Sequence, residues 1–297
     1  MKRILLPLAA LAVSSCIIDP LYIQMPQTYW SYSVETQTAR VCFPDDTHAS
    51  VLQLITDGQQ AGTIQAQHGT YTTDGHRVIL TGEEWSNNIQ FVRTFSHLKN
   101  NSTNRNMTPL KPQSHQSLAG SIWCSMVNNN LEVSRFLDDG TCIQASFNNV
   151  THEEGIPYGW KWGKQNYTLS GNRLDADSMH ATLFEDFMVV DTLAILIAKE
   201  PSEEDNASNA LAGTYWTSGG MSTYPGLLIF TGNDTFTRIQ VASKFIYQVK
   251  HGTYAYNGSS ISFCLDGKEE TCPLDGNRFT FFEVQYTKDT TLDPPLY

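Results

Sequence analysis

Residues 227–241 read LLIFTGNDTFTRIQV, and this stretch decides the fold class. Two runs of β-prone side chains flank the short polar segment Thr231-Gly-Asn-Asp234. Gly, Asn and Asp supply turn chemistry between such runs, so the pattern predicts a strand, a turn and a second strand. Similar patterns recur along the chain, and no long segment shows clear helical periodicity. We therefore predict an all-β protein built of antiparallel strands.

The chain contains three copies of this unit. An aromatic or aliphatic residue precedes a Trp in each copy at intervals of 93 residues, as Tyr29-Trp30, Ile122-Trp123 and Tyr215-Trp216. A Phe before a turn with Asp follows each Trp after thirteen or fourteen residues, at Phe43, Phe136 and Phe230. Landmarks that recur in one order at near-constant spacing indicate internal repeats.

A third landmark contains a glycine just before an aromatic residue. It is HGTY at residues 68–71 and again at 251–254, and we align it with Tyr158-Gly-Trp160 in the middle copy. On this alignment Trp160 corresponds to Tyr71 and Tyr254. His68 and His251 then have Tyr158 as their counterpart, which argues against a catalytic histidine common to the three copies. A glycine inside a strand often marks a bulge or a close backbone approach.

The repeats predict the domain organisation. We expect three tandem antiparallel β-barrel or sandwich-like units of about 80–90 residues, at 28–99, 118–200 and 211–290. Residues 100–117 and 201–210 are polar and unpatterned, as linkers are, and residues 291–297 form a tail. The apolar run at 187–198 could be a short helix, but its β-branched residues and its place at the end of a copy favour a closing strand. The copies form either separate domains or one continuous sheet.

The N-terminus indicates export. Lys2 and Arg3 precede about ten apolar residues, too few to span a bilayer, so residues 1–15 are expected to be a cleaved signal. Residues 11–16, LAVSSC, resemble the lipobox of bacterial lipoproteins. That resemblance implies that Cys16 is lipidated and that residues 16–27 form a tether. The alternative is an ordinary secretory signal in which the cysteine occurs by chance.

The location and charge of the mature chain limit its partners. Ile17 follows the lipidated cysteine, so the Asp that retains some lipoproteins in the inner membrane is absent and the outer membrane is favoured. The periplasmic and cell-surface faces both stay open. The chain carries a formal charge of −11, which becomes −13 when Lys2 and Arg3 are removed with the signal. This balance excludes nucleic acid as a partner, because phosphate binding needs clustered cations.

The order of the landmarks along the mature chain also resembles the lipocalin-like repeats of exported lipoproteins from the Bacteroides group. The elements that carry this resemblance are the Trp, the Phe-containing turn, the Gly-aromatic pair and a Phe-rich last strand. It implies a barrel-like unit with a pocket, and it names no ligand.

An aromatic row on one strand is the best candidate for a ligand site. Tyr158, Trp160 and Trp162 alternate along the predicted strand and so share one face, and Tyr167 follows. Such a row can stack on sugar rings, with Lys161 or Lys164 bonding to hydroxyl groups. The competing interpretation places these residues in the core, because the position of Trp160 is aromatic in every copy.

The remaining chemistry is sparse. Five cysteines besides Cys16 are present, without a CxxC pair or a Cys/His cluster, so no metal site is predicted. Cys264 and Cys272 flank an expected hairpin loop and could form a disulfide; the alternative is two free thiols. Neither a nucleophile with a base nor a pair of carboxylates across a cleft is indicated.

These observations favour a non-enzymatic binding function without a cofactor. The ligand is expected to be a glycan, a small apolar molecule or another envelope protein. A structural or assembly subunit is the alternative, and a hydrolase is a remote one.

Overall fold

The computed structural model describes residues 22–82, 89–127, 130–148, 159–177, 179–191, 193–199, 209–220, 223–232, 234–243 and 246–291. Within these ranges every regular element is a β-strand, and the strand pairings are antiparallel. The predicted all-β antiparallel fold class is confirmed. The signal, Cys16, Tyr158 and most of the second predicted linker lie outside the described residues.

The strands form three barrel-like units, one from each copy, which we call barrels 1, 2 and 3. The strands of the second copy form a closed sheet of their own, whereas those of the first and third copies belong to one closed sheet. Barrel 1 contains β1 (Thr28–Val34), β2 (Gln37–Phe43), β3 (His48–Ile55), β4 (Thr63–Asp74), β5 (Arg77–Thr81), β6 (Ile89–Arg93), β7 (Leu98–Asn100), β8 (Arg105–Asn106) and β9 (Thr108–Pro109). Barrel 2 contains β10 (Ser121–Val127), β11 (Asn130–Phe136), β12 (Thr141–Asn148), β13 (Gly159–Ser170), β14 (Arg173–Ala176), β15 (Met179–Leu183), β16 (Phe187–Val190) and β17 (Leu193–Lys199). Barrel 3 contains β18 (Tyr215–Gly220), β19 (Thr223–Phe230), β20 (Thr235–Ser243), β21 (Ile246–Tyr256), β22 (Ser260–Leu265), β23 (Lys268–Pro273), β24 (Arg278–Phe281) and β25 (Val284–Lys288).

Each barrel closes by pairing its last strand with its first. In barrel 2, β17 pairs with β10, so that Trp123 lies opposite Ile197. In barrel 1, β9 pairs with β1, and in barrel 3, β25 pairs with β18. Barrels 1 and 3 also share a sheet, because the first residues of β4 and β21 pair with each other. The arrangement therefore combines the two alternatives left open by the sequence, with closed units and a sheet that continues between two of them.

Two predicted boundaries need correction. The segment 100–117 is not an unpatterned linker, because β8 and β9 lie in it and close barrel 1. Farther along this segment, the Gln113 amide donates to the Leu183 carbonyl of barrel 2. The run at 187–198 is not one strand, since β16 and β17 form a hairpin that turns at Asp191 with a φ of 49°.

One aromatic set fills the interior of each barrel. Trp30, Trp123 and Trp216 are at most 4% exposed. Each indole N–H donates to a hydroxyl two residues earlier, and that hydroxyl donates to a backbone carbonyl three residues before itself. The repeated Trp landmark thus fixes the entry of each copy into its barrel, because the buried indole N–H needs a partner.

The third landmark was misaligned in the middle copy. The Tyr71 hydroxyl donates to the Asp45 carbonyl, and the Tyr254 hydroxyl donates to the Gly232 carbonyl. Their counterpart in barrel 2 is Tyr167, whose hydroxyl donates to the Leu137 carbonyl at 3.2 Å. The rings agree, since Tyr71, Tyr167 and Tyr254 lie edge-on to Phe43, Phe136 and Phe230 at 4.9, 4.9 and 4.5 Å. Trp160 is therefore not the equivalent of Tyr71.

The misalignment arises from unequal connections. Seven residues, 56–62, separate β3 from β4, whereas ten, 149–158, separate β12 from β13 and two, 244–245, separate β20 from β21. In the corrected register Lys164 occupies the position of His68 and His251 in barrel 2, and Gln165 occupies the glycine position. Close approach explains Gly252, where an added Cβ would lie 2.6 Å from the Cys264 carbonyl oxygen. The glycine is not required in all three copies.

A fourth apolar cluster lies between the barrels. This junction core takes buried side chains from all three copies, and it includes Cys42, Leu52 and Ile64, Ile122, Cys124 and Val133, and Leu227, Ile229, Tyr247 and Val249. In β19, Leu227 and Ile229 face the junction core while Leu228 and Phe230 face the interior of barrel 3. Burial of both faces explains the continuous apolar run in the sequence LLIF.

Cys264 and Cys272 are free thiols, so the alternative of two free thiols is confirmed and the disulfide that the sequence left open does not form. The connection between β22 and β23 is a two-residue turn, Asp266-Gly267, with φ of 52° and 73°. This tight turn places Cys264 opposite Glu269 and Cys272 opposite Ile261. Cys272 faces the interior of barrel 3, while Cys264 lies on a half-buried position of the other face. The case for a bridge placed the whole segment between the cysteines in a loop, whereas most of that segment belongs to β22 and β23.

Candidate functional site

The predicted aromatic row lies against barrel 3. Trp160 and Trp162 project from β13 onto the junction core, with ring centroids 6.1 Å apart and planes 26° from parallel. The Trp162 indole N–H donates to the Asp289 carboxylate at 2.7 Å, and the Trp160 indole N–H donates to the Ser218 carbonyl at 3.3 Å. Both N–H groups are therefore occupied by the protein, which leaves only partly exposed ring surface for a ligand.

Tyr167 does not belong to this row. Its side chain lies on the opposite face of β13, in the interior of barrel 2, against Phe136. Lys164 is close to Asp139, with the ammonium nitrogen 3.5 Å from a carboxylate oxygen. The structure thus brings Trp160 and Trp162 together and separates Tyr167 from them, while Tyr158 lies outside the described residues.

The barrel interiors contain packed side chains where a lipocalin-like fold would carry its pocket. In barrel 3 the rings of Phe263 and Phe281 stack at 4.2 Å, and Phe279 stacks on Tyr286 at 5.5 Å. Barrels 1 and 2 have comparable interior clusters around Trp30 and Trp123. Two clefts of the molecule lie at the contacts between the barrels and not in these interiors.

The histidines of the third landmark lie beside hydroxyl groups, His68 in a half-buried position and His251 in an exposed one. His68 Nδ1 lies 2.9 Å from the Ser50 hydroxyl, and His251 Nδ1 lies 2.9 Å from the Thr237 hydroxyl. Burial lowers the pKa of His68 to about 4, although a backbone hydrogen bond with Met126 opposes the shift. Ser50 and Thr237 are fully buried, so neither hydroxyl is accessible to a substrate as a nucleophile.

The strongest candidate site is a cleft between barrels 1 and 2, which we call the inter-barrel cleft. Its volume is about 610 Å³, within the range of small-molecule sites. Its lining comes from β1 and the end of β2, from the segment that connects the barrels, and from β14 to β16. The lining residues are Gln27, Tyr29, Pro44, Leu110, Lys111, Pro112, Arg173, His180, Ala181, Thr182, Val189 and Asp191.

The apolar part of this cleft is held by packing between the barrels. The Tyr29 ring lies 4.6 Å from the Phe184 ring of barrel 2, and Phe184 stacks on Phe187 at 4.2 Å. The Leu110 amide donates to the Tyr29 carbonyl at 2.7 Å. Burial raises the pKa of Tyr29, so its hydroxyl stays protonated and able to donate a hydrogen bond. Tyr29, Leu110 and Val189 thus present a fixed apolar surface.

The polar part of the cleft contains two basic side chains. Lys111 and Arg173 are exposed and, among the residues that the structure describes, neither has a hydrogen-bond or ion-pair partner. His180 Nδ1 lies 2.9 Å from an Asp175 carboxylate oxygen. Asp191 supplies a carboxylate at another point of the lining. Lys111 and Arg173 thus place two cations without described partners in one cleft of a chain with 30 acidic and 19 basic residues.

A neighbouring ion pair fixes the two barrels that form the cleft. The Arg40 guanidinium of barrel 1 binds the Asp186 carboxylate of barrel 2 through two hydrogen bonds, at 3.1 and 2.5 Å. Arg40 is mostly buried there, so the bidentate pair is better shielded than a surface ion pair. The ion pair holds the two walls of the cleft in position relative to each other.

Sequence reasoning missed this site because its residues share no local motif. Arg173 does follow a recurring pattern, since Tyr71-x-x-x-Gly75-x-Arg77 matches Tyr167-x-x-x-Gly171-x-Arg173. That pattern would have corrected the third landmark. The pattern does not distinguish Arg173 from Arg77. Arg173 lines a cleft only because another barrel packs beside it.

Two other features are absent from the described part of the chain. No group of three or more His, Cys, Asp or Glu side chains is arranged to hold a metal ion. None of the described residues forms a helix long and apolar enough to cross a bilayer.

Comparisons with known proteins add little. No protein-family model matches the chain, and no curated protein does. Similar solved structures include the β subunit of DNA polymerase III from Pseudomonas aeruginosa, at 8% identity over 90% of this chain and 93% of that one, with a TM-score of 0.15. The sliding clamp of Bartonella birtlesii covers 89% and 92% at 8% identity, with a TM-score of 0.14. Scores this low carry no argument about fold or function.

Proposed function

We propose that this protein is a lipid-anchored binding protein of the bacterial cell envelope, and that it holds an acidic sugar or glycan in the inter-barrel cleft. The observation that carries the proposal is the pair of cations, Lys111 and Arg173, which have no partner among the described residues and lie in a cleft that also has apolar lining. Arg and Lys bind carboxylates through charge-assisted hydrogen bonds, and Arg does so in a bidentate geometry. Tyr29 offers a ring on which the apolar face of a sugar can stack.

The remaining lining suits the hydroxyl groups of such a ligand. Gln27 and Thr182 offer donors and acceptors, and Asp191 accepts from a hydroxyl. A small apolar ligand, the other class expected from the sequence, fits less well, because the apolar interiors of the barrels contain packed side chains.

Glycan-array binding of the mature protein in detergent tests this proposal. Glycans that contain uronic or sialic acid are expected to bind, with neutral glycans as the comparison. Loss of one charge-assisted contact costs about 1.5–3 kcal/mol, so Arg173→Gln is expected to weaken binding about 10- to 100-fold. Arg77→Gln is the matched control, because Arg77 holds the same place in barrel 1. Absence of acidic ligands, or an equal effect of both substitutions, would refute the proposal.

The anchoring part of the proposal rests on the sequence. The LAVSSC segment and Cys16 support a diacylated cysteine at the start of the mature chain, with the outer membrane as its location. Replacing Cys16 with Ser is expected to move the protein from the membrane fraction to the soluble fraction. Protease treatment of intact cells then separates a periplasmic from a cell-surface position.

A structural or assembly role is the second candidate. The observation in its favour is the junction core, which joins the three barrels into one body as a scaffold requires. This role predicts a stable protein partner that still co-purifies with the Arg173→Gln variant. A hydrolase stays the remote alternative, and it predicts an activity that a single acid or His substitution abolishes.

A further inference from the structure

A second cleft lies at the opposite end of β2 and has a different chemistry. It has a volume of about 330 Å³ and is bounded by barrel 1 on one side and by the strands β20 and β21 on the other. It forms where β4 pairs with β21, with Gln65 opposite Ile246 and Thr63 opposite Gln248. We call it the amide cleft, because five of its ten lining residues are glutamines: Gln37, Gln53, Gln60, Gln65 and Gln248.

The amide groups of this cleft are largely unused by the protein. Gln248 donates to the Thr63 hydroxyl at 3.0 Å. The side chains of the other four glutamines make no hydrogen bond to any residue that the structure describes. Gln53 and Gln65 are nevertheless half-buried. Half-buried amides without protein partners leave donors and acceptors that a ligand can satisfy.

None of the described residues that line the cleft is charged, although the protein is strongly acidic. An ionic ligand would lose its hydration here without gaining a counter-charge from these residues. Each amide offers a donor and an acceptor side by side, which matches a hydroxyl group that both donates and accepts. Ile55 and Ile246 add apolar surface against which the C–H face of a sugar ring can rest.

A peptide fits this cleft poorly. Extended peptides usually add to a free strand edge, where backbone hydrogen bonds supply the affinity. At this cleft β4 already pairs with β3 and β21, and β21 pairs with β20 and β4. The available groups are therefore side-chain amides and not backbone edges.

From this combination we infer that the amide cleft is a binding site for a neutral oligosaccharide. The site is separate from the inter-barrel cleft. Gln37 begins β2, while Pro44 of the inter-barrel cleft directly follows its end, and seven residues of strand span about 23 Å. The inference therefore stands even if the inter-barrel cleft binds no acidic glycan.

Side-chain amide NMR on the full mature protein tests this inference. The probes are neutral di- and trisaccharides of glucose, galactose, mannose, xylose and N-acetylglucosamine at millimolar concentration. At least one is expected to shift the side-chain NH₂ signals of Gln53 and Gln65 in a saturable manner. Failure of every probe to shift these signals would overturn the inference, and this readout on the unaltered protein needs no variant.

Isosteric variants add a second test. Gln53→Met combined with Gln65→Met removes the hydrogen bonds and keeps the side-chain length, so the affinity is expected to fall at least tenfold. Gln90→Met, on the exposed face of β6, is the matched control and should bind as the wild type does. Retained affinity in the double variant, with thermal unfolding unchanged, would overturn the inference. So would displacement of the sugar by a short polar peptide or by glucuronate.

Discussion

The interiors of the three barrels repeat one set of side chains, whereas the junction core takes a different set from each copy. Each interior contains a Trp, a Phe and a Tyr at equivalent positions, with the same hydroxyl bridge to the indole. In the junction core the contributions range from Cys42 of barrel 1 to Tyr247 of barrel 3. Side chains that recur in all three copies therefore indicate what one unit needs to fold. Side chains that differ between the copies indicate how the units are joined.

The largest expected effect tests whether the two kinds of core are coupled. Trp216→Ala removes a side chain that is 1% exposed, and such a truncation typically costs about 3–5 kcal/mol. Because the junction core draws on all three barrels, we expect urea unfolding to stay a single transition shifted to lower urea. Trp30→Ala and Trp123→Ala should behave alike. A separate early transition for barrel 3 would show that the barrels unfold independently.

The next effect concerns His68 at the junction. Its folded pKa of about 4 lies below the ordinary value of 6.5, so the unfolded chain binds more protons between these values. The contribution of His68 to the free energy of unfolding is therefore fully present above about pH 6.5. It is lost as the pH drops toward 4, by about 3 kcal/mol in total. His251, whose pKa burial also lowers, adds in the same direction.

Urea titrations at several pH values between 4 and 7 measure this dependence. The variant His68→Asn is expected to flatten much of the slope, whereas the exposed His97→Asn should leave it intact. A slope that is the same in both variants would contradict the assignment to His68.

A smaller effect compares one hydroxyl at the junction with one in an interior. The Tyr247 hydroxyl is fully buried and donates to the Cys124 carbonyl of barrel 2 at 2.6 Å. Removing it in Tyr247→Phe is expected to cost about 1–2 kcal/mol in the free energy of unfolding. Tyr254→Phe, which loses the partly exposed bond to Gly232, should cost less. The reverse order would mean that the junction contributes little to stability.

The sequence was a good guide to the interiors and a poor one to the junctions. The Trp and Phe landmarks recur because each barrel needs them, and they predicted three β units correctly. The third landmark failed because connections of unequal length shift Tyr167 relative to Tyr71. The clefts were missed for another reason. Residues as distant as Tyr29 and Arg173 meet only through contacts between barrels, and no spacing within one copy encodes those contacts.

The smallest expected effect concerns the two cysteine thiols on opposite faces of one hairpin. Cys264 and Cys272 lie on opposite faces of the β22–β23 pair, so no bridge joins them. A reducing agent should therefore leave the free energy of unfolding unchanged, whereas loss of a disulfide would lower it by about 2–4 kcal/mol.

Burial raises the pKa of Cys272 to about 12, which keeps its reactive thiolate scarce. Iodoacetamide should thus label Cys264 before Cys272 in the native protein. Complete labelling of both cysteines is expected only after unfolding. Labelling of neither cysteine in unfolded, unreduced protein would establish the disulfide instead.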